Sequence, residues 1–233
     1  MSLKKRLQYF SPFEKTLWLS SVAVITASYL LSRNFYPLSL IASLLGVTAL
    51  LFIAKGNVIG QFIVIIFSAL YSVISYRFGY YGELITYAFM SAPSALVACI
   101  TWLKNPSDSG KSEVQVATMS ALKWIFTTCL AVVATVVFFF VLRYFETSNL
   151  LLSTLSITTS VFAATLLIFR CRFYAVAYVF NDLVLIALWV LASMEDISNL
   201  PMVFCFATFL FNDTYSFINW KRIENRQKSL AIK

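Results

Sequence analysis

The sequence predicts an all-α integral membrane protein. Three observations predict it. Hydrophobic residues make up 60% of the 233 and charged residues only 12%, against roughly a quarter charged in a soluble domain. The apolar residues fall in eight runs of roughly 20, the length a helix needs to cross a hydrocarbon core of about 30 Å. The runs are continuous, without the apolar–polar alternation over about ten residues that marks strands of a membrane β-barrel.

The eight spans are predicted over 16–31, 38–54, 58–76, 84–103, 121–142, 150–169, 173–192 and 200–219. The first follows Lys4, Lys5 and Arg6, like a signal peptide. It meets Ser32, Arg33 and Asn34 instead of a small-residue cleavage site, so it reads as retained. The second and third are separated only by Lys55, Gly56 and Asn57, the sixth and seventh only by Arg170, Cys171 and Arg172. Turns this short make the flanking helices antiparallel neighbours. Pro93 in the fourth span and the Gly56/Gly60 pair are candidate bends. Between the fourth and fifth spans lies 105–120, the longest polar stretch and the one loop long enough to be mobile.

Lys and Arg accumulate on the cytoplasmic side of a membrane protein. Eight spans put both termini on one face. That face collects Lys4, Lys5, Arg6, Lys15, Lys55, Lys104, Lys111, Lys123, Arg170, Arg172, Lys221, Arg222, Arg226, Lys228 and Lys233, and the other only Arg33, Arg77 and Arg143. Both termini are therefore expected in the cytoplasm, with Glu83, Glu146, Glu195 and Asp196 outside. The net charge of +8 is mostly this bias. It gives no support to nucleic-acid binding, and a basic tail at 221–233 suits anionic lipid headgroups. No metal site is expected: there is no histidine, and Cys99, Cys129, Cys171 and Cys205 form no CxxC.

The fifth span divides two similar triplets. Spans two to four and six to eight each have a basic turn after the first helix and an acidic turn before the third. They end in "TWLK" and "NWKR", with Trp102 and Trp220 118 residues apart. Three helices would leave the second copy inverted, and the fifth span restores it. The prediction is one N-terminal helix plus a 3+1+3 core of parallel repeats. The domains are 1–15 as cytoplasmic N-terminus, 16–35 as the extra helix, 36–104 as the first repeat and 105–120 as a cytoplasmic loop. The linking helix is 121–143, the second repeat 144–220 and the basic tail 221–233. Chance punctuation of a helical membrane protein is the plain alternative.

Asn181-Asp182 and Asn212-Asp213 interrupt the last two spans. A carboxylate near a helix centre costs roughly 2.5–3.5 kcal/mol on insertion scales. Both doublets should therefore face the interior or a water-filled cavity. Tyr174, Tyr178, Asp182, Leu185 and Trp189 share one helical stripe, and Tyr215 flanks Asp213. For Trp189 a place in the interfacial aromatic belt is an equal alternative. In the first repeat Gln61 is the one strongly polar side chain within the third span, and at an offset of 118 Val64 stands where Asp182 stands. Candidate substrate-binding residues are Gln61, Tyr174, Tyr178, Asn181, Asp182, Trp189, Asn212, Asp213 and Tyr215. Carboxylates, amides and aromatic faces suit a flat, cationic heterocycle with a hydroxylated tail. A polar clamp between two helices is the alternative.

The stretch "RCRFYAVAYVFND" matches a basic turn, aromatic positions and an Asn, and "FNDTYSFINWKR" a polar residue before an aromatic cluster and a basic end. With the span order, these resemble the PnuC-type vitamin transporters over about residues 16–225. Where that family usually carries tryptophans, Tyr174 and Ala177 stand here. The resemblance implies a SWEET-like fold, a homotrimer, and import of nicotinamide riboside by facilitated diffusion across a bacterial cytoplasmic membrane. It also implies trapping by a cytoplasmic riboside kinase; thiamine and riboflavin are the alternative substrates. Two further readings stand beside it: an integral membrane enzyme using the Asp pair as metal ligands or acid and base, and a substrate-capture subunit of a larger importer. No cofactor and no catalytic residue are expected.

Overall fold

The computed structural model describes residues 9–31, 36–77, 84–108, 112–147 and 149–231. Lys4, Lys5, Arg6, Arg33, Glu83, Lys111 and Lys233 of the charge comparison lie outside the described residues. Eight helices are described: α1 Pro12–Leu31, α2 Pro37–Ala54, α3 Ile59–Arg77, α4 Thr86–Leu103, α5 Ala121–Tyr144, α6 Leu150–Ile168, α7 Tyr174–Glu195 and α8 Leu200–Ala231. Helices α2 to α7 are six segments long and apolar enough to cross a membrane, and the chain is a multi-pass membrane protein. The other two are more polar. Glu14 and Lys15 open α1. The 32 residues of α8 include Asn212, Asp213 and Asn219 and a charged end; at 1.5 Å per residue it is about 48 Å long, longer than a hydrocarbon core.

Local chemistry sets the helix ends. Ser11 and Glu14 form a reciprocal cap on α1, with Glu14 Oε2 accepting from the Ser11 N–H at 2.6 Å and Ser11 Oγ from the Glu14 N–H at 3.2 Å. Helices α2 and α6 end alike. Gly56 (φ 65°) and Arg170 (φ 59°) are left-handed. The N–H groups of Gly56 and Asn57 close back on Ile53 and Phe52, as those of Arg170 and Cys171 do on Leu167 and Leu166. In α4 the first turn, Thr86–Ser91, is π-helical. Pro93 just beyond it has no N–H to give, and the wider turn absorbs the mismatch. Gly60 is not a bend: a Cβ there would lie 2.6 Å from Ile53 Cγ1 and 2.8 Å from the Ala49 carbonyl. It lets α2 and α3 touch.

The packing contacts come in matched pairs. α2 lies on α3 as α6 lies on α7; α3 on α4 as α7 on α8; and α2 on α8 as α6 on α4. Helix α5 packs on α6, and α1 on α2 and α8. Where the two triplets meet, Trp102 Nε1 donates to the Leu167 carbonyl at 3.2 Å and Trp220 Nε1 to the Ile53 carbonyl at 2.9 Å. Each indole thus closes the last turn of the other triplet's first helix. The two rings lie 5.5 Å apart, and both are buried.

The described part of the 105–120 loop is fastened, against the expectation of mobility. Val114 N–H donates to the Gly56 carbonyl at 2.8 Å and Ala117 N–H to the Arg170 carbonyl at 3.0 Å. Side chains from the end of α8 hold the same segment. Polarity had marked the loop as solvent-facing, but Val114 and Val116 give it an apolar underside. Nearby, Glu224 accepts from Arg172 at 2.7 Å and from Lys228 at 2.6 Å.

Two outcomes are expected. Trp102→Phe and Trp220→Phe each remove one buried hydrogen bond, costing about 0.5–1.5 kcal/mol, so thermal melts in detergent should show similar losses for both. Burial pushes the Glu224 carboxyl up, but Lys228 and Arg172 outweigh it and hold it below its ordinary value of 4.5. Its contribution to stability is therefore complete above that pH and is lost as pH falls through the lowered value. Glu224→Gln should flatten the acid limb of a melting-temperature series.

Candidate functional site

Between the triplets lies a cavity of about 600 Å³, within the range of small-molecule sites. One rim consists of Phe145, Glu146, Thr147 and Asn149 after α5 and of Glu195, Asp196 and Asn199 after α7. At the opposite end the floor is formed by Ile53, Leu167 and Tyr174, the first two held by the tryptophans. The rim is strained: Glu146 and Asn149 are left-handed at φ 50° and 54°.

The "FND" triplets show how the acids are placed. Phe180 and Phe211 are 60% and 67% exposed, while Asp182 and Asp213 are 3% and 2% exposed. In each doublet the ring faces the surroundings of the bundle and the carboxylate faces the cavity. Asp182 Oδ2 and Asp213 Oδ1 are both buried without a hydrogen-bond partner. The four described ion pairs all lie elsewhere.

Seven of the nine candidate residues line the cavity: Gln61, Tyr174, Tyr178, Asn181, Asp182, Trp189 and Asp213. Tyr174 stacks edge-on against Trp220 at 4.9 Å and lies 6.2 Å from Tyr178. Trp189 is buried on the cavity wall. Asn181 Oδ1 is in contact with the hydroxyls of Thr159 and Ser160 at 2.8 and 2.9 Å. Gln61 Nε2 is buried without a partner.

Asn212 and Tyr215 require correction. Neither lines the cavity. Asn212 Nδ2 donates to Ser21 Oγ at 3.1 Å and the Tyr215 hydroxyl donates to Glu14 Oε1 at 2.7 Å. Both serve the α1–α8 contact. Asn212 precedes Asp213 by one residue, a turn of about 100° on a helix, so the two cannot share one face. Sequence reading also missed the hydroxyls of Ser153, Ser156 and Ser160 on α6 and of Ser91 and Ser94 on α4, all on the cavity wall. Their spacing of three and four was the available signal. Counted from the paired left-handed turns, which are 170 − 56 = 114 residues apart, Ser68 and not Val64 matches Asp182. The Ser68 hydroxyl lines the cavity and has no partner.

A carboxylate-bearing cavity inside an apolar helical bundle is the kind of site that membrane transport proteins hold. The family model described as nicotinamide mononucleotide transporter matches residues 36–222, and the chain belongs to that family of transporters. The match begins after α1. Two similar proteins are nicotinamide riboside transporters PnuC. That of Neisseria mucosa is 24% identical over 92% of this chain and 76% of its own. That of Haemophilus influenzae is 23% identical over 97% and 99%. The crystal structure of the vitamin B3 transporter PnuC superposes with a TM-score of 0.79 at 22% identity, covering 94% of both chains.

Gly46 tests the cavity wall directly. A Cβ there would lie 2.7 Å from Phe209 Cζ, and both residues line the cavity. Gly46→Ala should turn the Phe209 ring into the void and raise the apparent KM of transport several-fold with little change in melting temperature.

Proposed function

We propose that this chain imports nicotinamide riboside by facilitated diffusion across a bacterial cytoplasmic membrane. A single observation carries the reading: two buried carboxyl groups share one wall with Tyr174 and Tyr178 beside a void of about 600 Å³. Two carboxyl groups with unpartnered buried oxygens suit the pyridinium cation, and tyrosine faces suit a flat ring. The wall hydroxyls and the Gln61 amide match a ribose. Both relatives are nicotinamide riboside transporters, which agrees with that chemistry. Thiamine, also a flat cation, is the second reading; neutral riboflavin fits the charge less well.

The architecture we propose is eight spans, one N-terminal helix plus two parallel repeats in a 3+1+3 order, with both termini cytoplasmic. The matched helix contacts and the reciprocal tryptophans support the repeats. The basic residues on the turn side support the orientation, which makes the tryptophan floor cytoplasmic and the rim external. We further propose a homotrimer, contacts with anionic lipid at the basic tail, and trapping of the imported riboside by a kinase. The exposed apolar side of α5, including Leu122, Ile125 and Val133, suits lipid or a neighbouring copy.

Proteoliposomes test this. Labelled nicotinamide riboside should equilibrate without accumulating, unaffected by an imposed pH gradient, and unlabelled riboside should compete better than thiamine. Asp182→Asn and Asp213→Asn should each reduce affinity about tenfold, ~1.4 kcal/mol, with the protein still folded by melting. Competition by thiamine alone would overturn the substrate assignment.

A further inference from the structure

Residues 113–117 cross the bundle directly beneath the cavity floor. Val114, 3% exposed, packs in the same cluster as Ile53, Trp102, Leu167 and Trp220. The segment is fastened to both triplets at once. On the first side, Val114 N–H donates to the Gly56 carbonyl, Gln115 N–H to that of Asn105, and Ser107 N–H to that of Glu113, at 2.8, 3.0 and 2.9 Å. On the second side, Ala117 N–H donates to the Arg170 carbonyl at 3.0 Å, and the Arg170 guanidinium to that of Gln115 at 3.3 Å. The extension of α8 adds the rest. Gln227 Oε1 accepts from Val116 N–H at 2.8 Å, its Nε2 donates to the Val114 carbonyl at 3.0 Å, and Arg226 pairs with Glu113 at 2.5 Å. The Gln227 amide thus fills one backbone donor and one acceptor, as a neighbouring strand would.

A cavity that opens through its floor must part Ile53 from Leu167. Gly56 and Arg170 each lie three residues beyond these and travel with them. A short segment bonded to both turns cannot follow both. Among the described residues, the bonds to the first triplet run between neutral backbone groups, and the contacts to the second include the ion pair of Arg226 with buried Glu113; charge-assisted bonds are the stronger kind. We infer that residues 113–117 form a cytoplasmic lid that stays with the second triplet through Arg226 and Gln227 and releases Gly56 and Asn105 when the substrate path opens inward. The inference rests on the transport reading.

The test uses the full chain in liposomes, with the four native cysteines replaced and uptake of nicotinamide riboside verified first. Spin labels are placed at the exposed positions Ser112, Ile59 and Ser229. Substrate should add a longer-distance population to the 112–59 pair and leave the 112–229 pair single. In Arg226→Ala with Gln227→Ala the segment should stay with Gly56, so that substrate lengthens the 112–229 pair and leaves the 112–59 pair single, with a changed turnover rate per molecule. With Arg226 and Gln227 intact, uptake that proceeds with an unchanged 112–59 distance overturns the lid, as does broadening of 112–229 instead. Absence of any uptake by the labelled and unlabelled chains overturns the transport reading, which is a separate result.

Discussion

Two crossed hydrogen bonds organise this molecule. Each indole of the Trp102–Trp220 pair reaches across the divide and donates to a carbonyl at the end of the other triplet's first helix, beside the bond that the turn's own N–H makes there. That exchange fills a second acceptor position on each buried carbonyl and ties the two helix ends together. With it, the two ends are held against each other beneath the cavity. The acids on the wall face that cavity, the setting in which intramembrane carboxylates are found.

The asymmetry of the wall is as informative as the symmetry of the floor. At corresponding heights one triplet presents Asp182 and the other Ser68. A symmetric site with two further carboxylates would hold like charges close together in a dry setting, an arrangement that repels and neutralises itself. Confining the acids to α7 and α8 leaves the α3 wall with the Gln61 amide and the Ser68 hydroxyl. One wall presents carboxyl groups and the other an amide and a hydroxyl.

Much of this was legible in the residues. Long apolar runs fix helices because no other open structure satisfies the backbone in lipid, and a lone carboxylate in such a run points inward for the same reason. Hence the positions of Asp182, Asp213 and the Tyr174–Trp189 stripe could be read directly. What escaped was decided by rotation and by tertiary partners. Asn212 and Tyr215 sit beside Asp213 in sequence but on faces turned to α1, and nothing local announces Ser21 or Glu14 as their partners. The loop at 105–120 reads as polar coil; its backbone bonds to two distant turns leave no trace in composition. The true register of the triplets hid behind one extra helical turn between the left-handed residues and the tryptophans.

The contact of α1 with α8 bears on how the chain is assembled during synthesis. Glu14 meets Lys55 within the first 41 residues of separation, but its bond from Tyr215 and the Ser21–Asn212 bond span 201 and 191. Helix α1 therefore waits, partly unsatisfied, until α8 has been made. Helices that insert first and associate later here carry a built-in order: α1 settles only once α8 is in place.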